Sequence, residues 1–253
     1  MSARVLITAG ASGVGRAMAE AFDAAGAQVW VADVDHAALA NCPAHWNRSQ
    51  VNVADEAAVA GLFADIEAAW GGLDTLCANA GVAGPTALIE DVALGDWRAC
   101  LSVNLEGAFL CAKHAAPILK RQRSGAVVIT SSTAGQYGYP NRAPYAAAKW
   151  GMVGLGKTLA MELGPHGVRC NVICPGAVEG PRMEGVLERE ASAKGMTRDQ
   201  VYAGYAAGTS MGRFVEGHDI ANMAVFLASD AARLVSGQVI AVDGHTVNPD
   251  PKI

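Results

Sequence analysis

The sequence has 253 residues, of which 51% are hydrophobic and 17% are charged. A chain of this length and apolar content can bury one large core, so we expect a single domain over residues 1–253. The net charge of −5, without any run of lysines or arginines, argues against nucleic acid or an anionic membrane surface as a partner. No apolar stretch approaches the roughly 18 residues of a spanning helix, and no signal peptide pattern precedes the first strand. These features predict a cytoplasmic protein.

Short apolar runs alternate along the chain with alanine-rich stretches of helical spacing, such as Val14–Ala25 and Glu56–Trp70. Strands that are apolar along their whole length are typical of a parallel sheet covered by helices on both faces. We therefore predict an α/β fold with a doubly wound parallel sheet, whose ligands bind beyond the carboxyl ends of the strands. The apolar runs are Val5–Thr8, Val29–Ala32, Leu73–Ala78, Ala126–Thr130, Val168–Cys174 and Val239–Val242.

The first strand leads into a glycine-rich turn, Ala9–Gly15, and then into an alanine-rich helix. Glycines let the backbone approach a pyrophosphate, and the helix N-terminus offers it free N–H groups. Such a turn alone could be an ordinary connection, but Asp33 ends the second strand, where a carboxylate can hold both ribose hydroxyls of NAD. That carboxylate repels the 2′-phosphate of NADP, and neither Ser12 nor Val34 supplies a basic side chain. We therefore predict NAD as the cofactor.

Asparagines follow the third and fourth strands of the expected sheet. Asn52 and Val53 are suitably placed for the adenine edge, and Asn79 and Gly81 for the backbone of the cofactor channel. Alone, either asparagine would be interpreted as a loop former. Together with the glycine-rich turn they extend the predicted cofactor site.

Tyr145 and Lys149 lie four positions apart at the start of a predicted long helix, so their side chains face one side. A free tyrosine has a pKa near ~10, but a neighbouring ammonium group and the positive nicotinamide favour its phenolate. That tuning suits proton transfer near neutral pH. The spacing is common on ordinary helices, and its significance comes from Ser132, which follows the strand Ala126–Thr130 and can hydrogen-bond a substrate carbonyl. For Ser131 we expect a turn-capping role.

These motifs together resemble the short-chain dehydrogenase/reductase family, from Arg4 to about Gly244. The family's Thr-Gly-x-x-x-Gly-x-Gly turn is similar to Thr8–Gly15, and its Asn-Asn-Ala-Gly is similar to Ala78–Gly81. Its Pro-Gly after the sixth strand is similar to Pro175–Gly176. The resemblance implies a three-layer Rossmann fold and a nicotinamide-dependent alcohol dehydrogenase or ketoreductase.

The resemblance also assigns roles to four residues. It implies that Tyr145 is the general acid/base and that Lys149 holds the nicotinamide ribose and lowers the tyrosine pKa. It implies that Ser132 orients the carbonyl and that Asn104 keeps a water in the proton relay. The complete set of predicted cofactor-binding residues is Gly10, Ser12, Gly13, Val14, Gly15, Asp33, Asn52, Val53, Asn79, Gly81, Tyr145, Lys149, Gly176 and Val178.

The sequence departs from the family pattern at three positions. Ala9 stands where the family usually has its first glycine, so that turn must accommodate a methyl group. Asn52 replaces the usual aspartate near adenine, although an amide can still pair with the base edge. Gly180 lies where a threonine commonly anchors the nicotinamide carboxamide, and backbone at Val178 can replace that anchor.

Partners and metals are predicted only in outline. The resemblance implies a homo-tetramer or homo-dimer, because helices around Asp96–Lys120 and Tyr145–Gly164 pack between subunits in many relatives. We predict no metal site, since the cysteines lie mostly in apolar segments without a Cys-x-x-Cys pair and favour buried thiols. The six cysteines are Cys42, Cys77, Cys100, Cys111, Cys170 and Cys174.

The substrate is predicted to be a small secondary alcohol or its ketone. Arg142 and Arg182 lie on segments expected near the substrate mouth, and we hypothesise that one of them binds an anionic group such as a carboxylate or sulfonate. The alternative is a solvated arginine or a salt bridge to Glu179 or Glu184. A long irregular connection at about 179–212 is expected to form a substrate loop or lid.

Two alternative functions are open at this point. Gly208–Gly212 fits the Gly-x-Ser-x-Gly motif of serine hydrolases, but no apolar strand runs into Ser210, as a nucleophile elbow requires. The other alternative is a dinucleotide-binding regulator that senses redox state without turnover. Such a regulator would not need all four of the predicted catalytic residues.

Overall fold

The computed structural model describes residues 2–250, and within that range seven strands form one parallel sheet. The strands are β1 (Arg4–Thr8), β2 (Gln28–Asp33), β3 (Asn47–Gln50), β4 (Thr75–Ala78), β5 (Gly125–Thr130), β6 (Val168–Pro175) and β7 (Val239–Val242). They lie side by side in the order β3-β2-β1-β4-β5-β6-β7, and every neighbouring pair is parallel. The predicted doubly wound α/β fold is confirmed.

Helices cover both faces of this sheet. They are α1 (Gly13–Ala24), α2 (His36–Ala40), α3 (Glu56–Trp70), α4 (Leu94–Leu101), α5 (Gly107–Gln122), α6 (Ala143–Leu163), α7 (Pro181–Lys194), α8 (Arg198–Ala207) and α9 (Gly217–Ala228). On one face, Ile7 of β1 joins a buried cluster with Met18 of α1 and Ile220 of α9. On the other face, Leu6 joins a cluster that includes Met152 of α6. Successive β1 side chains thus enter opposite cores, which explains why the strands are apolar along their whole length.

The strand β3 is the one that no apolar run indicated. Its residues, Asn47–Gln50, alternate between half-buried and exposed positions at the edge of the sheet. Ser49 accepts a hydrogen bond from the Trp30 indole of β2 at 2.9 Å. An edge strand has one sheet neighbour and one solvated side, so it does not need the apolar composition of a central strand.

The segment at 179–212 is largely helical, so the expectation of an irregular connection was wrong. It forms α7 and α8, and Thr197 begins α8 with a capping box in which Thr197 and Gln200 exchange side-chain to backbone hydrogen bonds. Leu187, Val201 and Phe214 form a small buried cluster beneath the two helices. The segment therefore has a small hydrophobic core that is separate from the two cores on the faces of the sheet.

The strand order reverses at β1, which pairs with β2 on one side and β4 on the other. In a doubly wound sheet this reversal opens a crevice at the carboxyl ends of the strands. The connections that follow β1, β4, β5 and β6 are therefore the elements that can form a site.

Two further expectations concern burial and membranes. All six cysteines are buried and free, as their apolar surroundings in the sequence indicated. In the described part of the chain, no helix has the length and apolar character needed to cross a membrane.

Candidate active site

A cavity of about 290 Å³ lies at the carboxyl ends of the strands. Its walls come from the turn after β1, the ends of β4 and β5, the start of α6, and the chain after β6 into the first turns of α7. The structure brings most of the predicted site residues together here. Those that line the cavity are Ser12, Gly13, Val14, Gly15, Asn79, Gly81, Ser132, Arg142, Tyr145, Lys149, Gly176, Val178 and Arg182.

The turn between β1 and α1 leaves a backbone cradle that a side chain would fill. A Cβ on Gly15 would lie 2.0 Å from the Ala9 carbonyl oxygen and 2.7 Å from Asn79 Nδ2. The helix α1 begins at Gly13, its N-cap Ser12 makes no side-chain cap, and its first turn carries no acidic residue. Because uncapped N–H groups at a helix N-terminus suit an anion, this turn fits the pyrophosphate of a dinucleotide.

Asn79 holds the same turn from the end of β4. Its Nδ2 donates to the Thr8 carbonyl oxygen at 3.1 Å, and its backbone N–H donates to Thr8 Oγ1 at 2.9 Å. Ala9 adopts a φ of 49°, in the left-handed region that favours glycine. The turn therefore accommodates the Ala9 methyl group at the cost of backbone strain.

Asp33 supports the turn from the end of β2. The buried carboxylate accepts a hydrogen bond from the Ala11 N–H at 3.2 Å through Oδ2, and another from the Asp35 N–H at 3.1 Å through Oδ1. Each carboxylate oxygen has more than one lone pair, so both can accept further hydrogen bonds. Asp33 is thus coupled directly to the glycine-rich turn.

Other predicted residues lie behind or beside the cavity wall. Gly10 is packed under the turn, where a Cβ would lie 2.7 Å from Val31 Cγ1. Val53 is buried against Gly107 at the start of α5. Asn52 is exposed, and its Oδ1 accepts from the Ala54 N–H at 3.0 Å. The cavity lining includes none of these residues, nor Asp33 or Asn104.

The ends of β5 and α6 place Tyr145 beside Lys149 and Ser132. Lys149 is 2% exposed, and its Nζ donates to the Thr130 carbonyl oxygen at 2.9 Å. Ser131 Oγ donates to the Lys149 carbonyl oxygen at 2.8 Å, and so ties α6 to the strand end. Ser132, rather than Ser131, caps the following turn, since its Oγ accepts from the Ala134 N–H at 3.1 Å. The capping role expected for Ser131 was therefore wrong.

Electrostatics favour the phenolate of Tyr145. Burial opposes its ionisation, but three nearby cations and a hydrogen bond with Ser132 outweigh burial, so the pKa of Tyr145 is lowered from its ordinary value. In decreasing order of effect, the cations are Lys149, Arg182 and Arg142. Burial also lowers the pKa of Lys149, against the opposing effect of the tyrosine.

Asn104 lies in a π-helical stretch, Ser102–Glu106, between α4 and α5. Its Nδ2 donates to the carbonyl oxygens of Cys100 at 2.8 Å and Val82 at 3.0 Å, while its buried Oδ1 has no partner in the described chain. A Cβ on Gly81 would lie 2.5 Å from this Oδ1 and 3.5 Å from Lys149 Nζ. The unpartnered oxygen therefore faces the same narrow space as the lysine, and π-helical turns often occur at such functional positions.

The two arginines occupy different environments in the cavity wall. Arg142 is buried and stacks its guanidinium over the Tyr145 ring, 4.8 Å from the ring centroid. Arg182 is exposed in the first turn of α7. The carboxylates considered as its salt-bridge partners bind other groups, because Glu184 pairs with Arg198 and Glu179 accepts a hydrogen bond from Tyr202.

Tyr205 of α8 also lines the cavity, although it was not among the residues predicted from the sequence. Its hydroxyl donates to Glu190 Oε2 at 2.7 Å, and Lys194 pairs with Glu190 at 2.8 Å. The available signal was the spacing of Val201 and Tyr205, four apart and hence on one face of a helix. The spacing indicates a shared helix face only if the segment is helical, and this segment was interpreted as an irregular connection.

The serine hydrolase motif lacks the geometry of a nucleophile elbow. Ser210 is exposed in a turn after α8, and no strand leads into it. Its Oγ hydrogen-bonds His245 Nδ1 at 2.6 Å, while the Ser210 and Met211 N–H groups are bound to the carbonyl oxygens of His245 and Gly244. These neighbouring donors are therefore not free to form an oxyanion hole.

The chain is similar to known proteins over almost its whole length. A family model described as enoyl-(acyl carrier protein) reductase matches residues 8–245. A 2,5-dichloro-2,5-cyclohexadiene-1,4-diol dehydrogenase of Sphingobium indicum is 35% identical over 95% of each chain. A cis-4-hydroxycyclohexanecarboxylate dehydrogenase of Sinomonas cyclohexanicum is 35% identical over 94% of each chain. The solved structure of an NAD+-bound xylitol dehydrogenase matches with a TM-score of 0.93 at 26% identity, covering 96% of this chain and 98% of that one.

The chain belongs to the short-chain dehydrogenase/reductase family. The relatives named above are dehydrogenases, and these matches make the protein an oxidoreductase. Family membership and the NAD+-bound neighbour support a nicotinamide dinucleotide as the cofactor.

Proposed function

We propose that the protein interconverts a small secondary alcohol and its ketone, with NAD as the hydride acceptor or donor and Tyr145 as the general acid/base. One observation carries this proposal: Tyr145, Lys149 and Ser132 line the same cavity as the glycine-rich turn. Bound NAD would supply a carbon that accepts the hydride. The chain's own residues would bind the alcohol and remove its proton.

The proposed proton acceptor is the phenolate oxygen of Tyr145, which takes the hydroxyl proton as the carbinol carbon loses its hydride. Ser132 Oγ accepts the Ala134 N–H at 3.1 Å, and in the proposed complex the serine O–H that interacts with Tyr145 would donate to the substrate oxygen instead. A donor aimed at that oxygen stabilises the charge that develops on it. Ser132 and Tyr145 would thus hold the same substrate atom.

The proposed exit for the proton uses Lys149 and Asn104. The unpartnered Asn104 Oδ1 and Lys149 Nζ border the same space beside Gly81, and a water bound there would satisfy the buried oxygen. In the proposed relay, the Tyr145 proton passes toward this water. Lys149 would also hold the nicotinamide ribose.

The preference for NAD over NADP rests on Asp33. Its carboxylate ends β2 next to the cradle, and the following residues, Val34 and Asp35, supply no positive charge for a 2′-phosphate. A carboxylate binds ribose hydroxyls well and repels a phosphate. The remaining proposed cofactor contacts are those of the glycine-rich turn with Asn52, Val53, Asn79, Gly81, Gly176 and Val178.

The proposed substrate class is a cyclic or branched secondary alcohol that carries an anionic group. Relatives include dehydrogenases named for a cyclohexadienediol and a hydroxycyclohexanecarboxylate. These names support a six-membered ring in the substrate. Arg142 and Arg182 in the cavity wall support a negative substituent. In this proposal α7 and α8, which contribute several cavity residues, form the substrate lid of a single domain.

We also propose that the protein is a homo-oligomer built on α4, α5 and α6. Each of these helices exposes a large apolar side chain, namely Leu94, Phe109 and Trp150. Exposed apolar groups on neighbouring helices favour burial against a second copy.

The proposed reaction is tested with a panel of secondary alcohols, including cyclohexanols, sugars and hydroxy acids, assayed with NAD and with NADP. We expect the absorbance of NADH to rise with at least one alcohol, and kcat/KM to favour NAD. A clear preference for NADP would contradict the role of Asp33. Binding of NADH without oxidation of any alcohol or reduction of any ketone would favour a non-catalytic redox regulator.

A further inference from the structure

Among residues 2–250, Arg142 is a buried cation without a carboxylate partner. Its side chain is 8% exposed, and it takes part in no ion pair within residues 2–250. One Nη2 hydrogen bond, to the Ala83 carbonyl oxygen at 3.2 Å, is its polar contact there, and its Nε is buried without an acceptor. A guanidinium has five N–H donors, so most of its bonding capacity is unused.

This charge is fixed. A guanidinium does not deprotonate in proteins and must keep its charge. Since a buried charge is costly unless it is paired, the position of Arg142 is best satisfied by an anion that arrives with a ligand.

Two carboxylates in this region are engaged by other groups, namely Glu179 in the cavity lining and Asp243 beside Gly176. Glu179 is exposed and accepts the Tyr202 hydroxyl. Asp243 accepts the backbone N–H groups of His245 at 2.9 Å and Thr246 at 3.0 Å. Arg182 adds a second positive charge at the same cavity. The Tyr145 phenolate offsets part of this positive charge, and the remainder favours an anionic ligand.

Arg142 lies away from the proposed pyrophosphate site, so an anion bound to Arg142 is distinct from the pyrophosphate of the cofactor. The proposed pyrophosphate site lies at the Ser12–Gly15 turn, where the N-terminus of α1 provides for that anion. Arg142 instead lies at the start of α6, with its guanidinium 4.8 Å from the centroid of the Tyr145 ring. A group bound to this guanidinium thus belongs to the molecule that reacts with Tyr145.

We infer that Arg142 binds a carboxylate or sulfonate of the substrate while the carbinol of the same molecule reaches Tyr145. The inference rests on the proposed function and adds the residue that selects the substrate. The planar guanidinium suits the two oxygens of such a group. Arg182, exposed at the start of α7, contributes a weaker and more screened attraction.

The test compares matched pairs of alcohols that differ only in charge. Suitable pairs are 4-hydroxycyclohexanecarboxylate with its carboxamide and 3-hydroxybutyrate with its amide, and 4-hydroxycyclohexanesulfonate separates sulfonate from carboxylate. The measured quantity is the ratio of kcat/KM for the anion to that for the amide. We expect a ratio above one in the wild type, a fall of about 100-fold in Arg142→Met, and a smaller fall in Arg142→Lys.

Two controls distinguish the binding of a substrate anion by Arg142 from a general effect of removing a positive charge and from an effect on NADH binding. Arg189→Met changes an exposed arginine on α7 that does not line the cavity, and should keep the wild-type ratio. Calorimetry with cyclohexanecarboxylate on the NADH complex gives a second readout, and Arg142→Met should weaken that binding without an equal loss of NADH affinity. An unchanged ratio in Arg142→Met, a larger effect in Arg182→Met, or an equal loss of NADH binding would overturn the inference.

The failure of this inference differs from the failure of the proposed function. Oxidation of the amides without any preference for the anions across the pairs would overturn the role of Arg142 alone. Absence of hydride transfer with every secondary alcohol would overturn the proposed function itself.

Discussion

Lys149 Nζ lies 5.6 Å from the centroid of the Tyr145 ring and is held there by its hydrogen bond to the Thr130 carbonyl oxygen at 2.9 Å. The lysine is thus fixed to the end of β5 rather than to its own helix. Because its charge has the largest effect among those that lower the pKa of Tyr145, the strand end controls the proton affinity of the phenol.

The pH profile of alcohol oxidation should reflect this contact. In the wild type, kcat/KM should rise as the phenol ionises, with an inflection below the ordinary tyrosine pKa of about 10. Lys149→Met removes the main charge that favours the phenolate, so the inflection should move to higher pH. Activity at neutral pH should fall by about 100-fold or more. An inflection at the wild-type pH in this variant would show that Lys149 does not set the pKa of Tyr145.

Asp33→Asn tests the basis of cofactor choice. The amide oxygen can still accept the Ala11 N–H, so the glycine-rich turn should persist, while the bond from the Asp35 N–H and the negative charge are lost. We expect NADH binding to weaken by about 10-fold or more and the preference for NADH over NADPH to shrink. Fluorescence titration with both cofactors measures this ratio, and an unchanged ratio would contradict the assignment.

Gly15→Ala tests the close approach at the dinucleotide cradle. The added Cβ would lie 2.0 Å from the Ala9 carbonyl oxygen, so the turn must open. We expect a loss of about 2 kcal/mol in the free energy of unfolding and at least 10-fold weaker NADH binding. Gly154→Ala is the matched control, since its Cβ in α6 would meet nothing within 4 Å and should be neutral or stabilising. Equal effects of the two substitutions would contradict the tight turn.

Ala9→Gly should stabilise the protein. Ala9 adopts a φ of 49°, which costs a residue with a Cβ about 1–2 kcal/mol, while glycine loses about 0.5–1 kcal/mol more entropy on folding. The expected net gain is about 1 kcal/mol, or roughly 2–4 °C in Tm by calorimetry. A lower Tm would mean that the left-handed turn carries no strain at this position.

The sequence pattern predicted those strands whose side chains are buried on both faces of the sheet. The central strands β1, β4, β5 and β6 are apolar because helices cover both sides of them. The edge strand β3 escaped this signal because Asn47–Gln50 is half solvated. The helices α7 and α8 were missed because their apolar cluster is small and the rest of their surface is polar.

The candidate site was predictable to the extent that its residues are positioned by strand ends and helical spacing. Ser132 follows β5 directly, and Tyr145 and Lys149 are one helical turn apart on α6. Contacts between residues that lie far apart in the sequence could not be predicted from local patterns. The hydrogen bond from Ser131 to the Lys149 carbonyl oxygen and the contact of Tyr205 with the cavity depend on how distant elements pack.

The most direct test of the proposed chemistry is the effect of Tyr145→Phe on turnover and on NADH binding, measured in the same preparation. The substitution removes only the hydroxyl group, so the ring should still pack under Arg142 and the cofactor site should persist. We expect kcat for alcohol oxidation to fall by about 10³-fold, with the Kd for NADH within about twofold of the wild type. Near wild-type turnover in Tyr145→Phe would contradict the assignment of Tyr145 as the general acid/base.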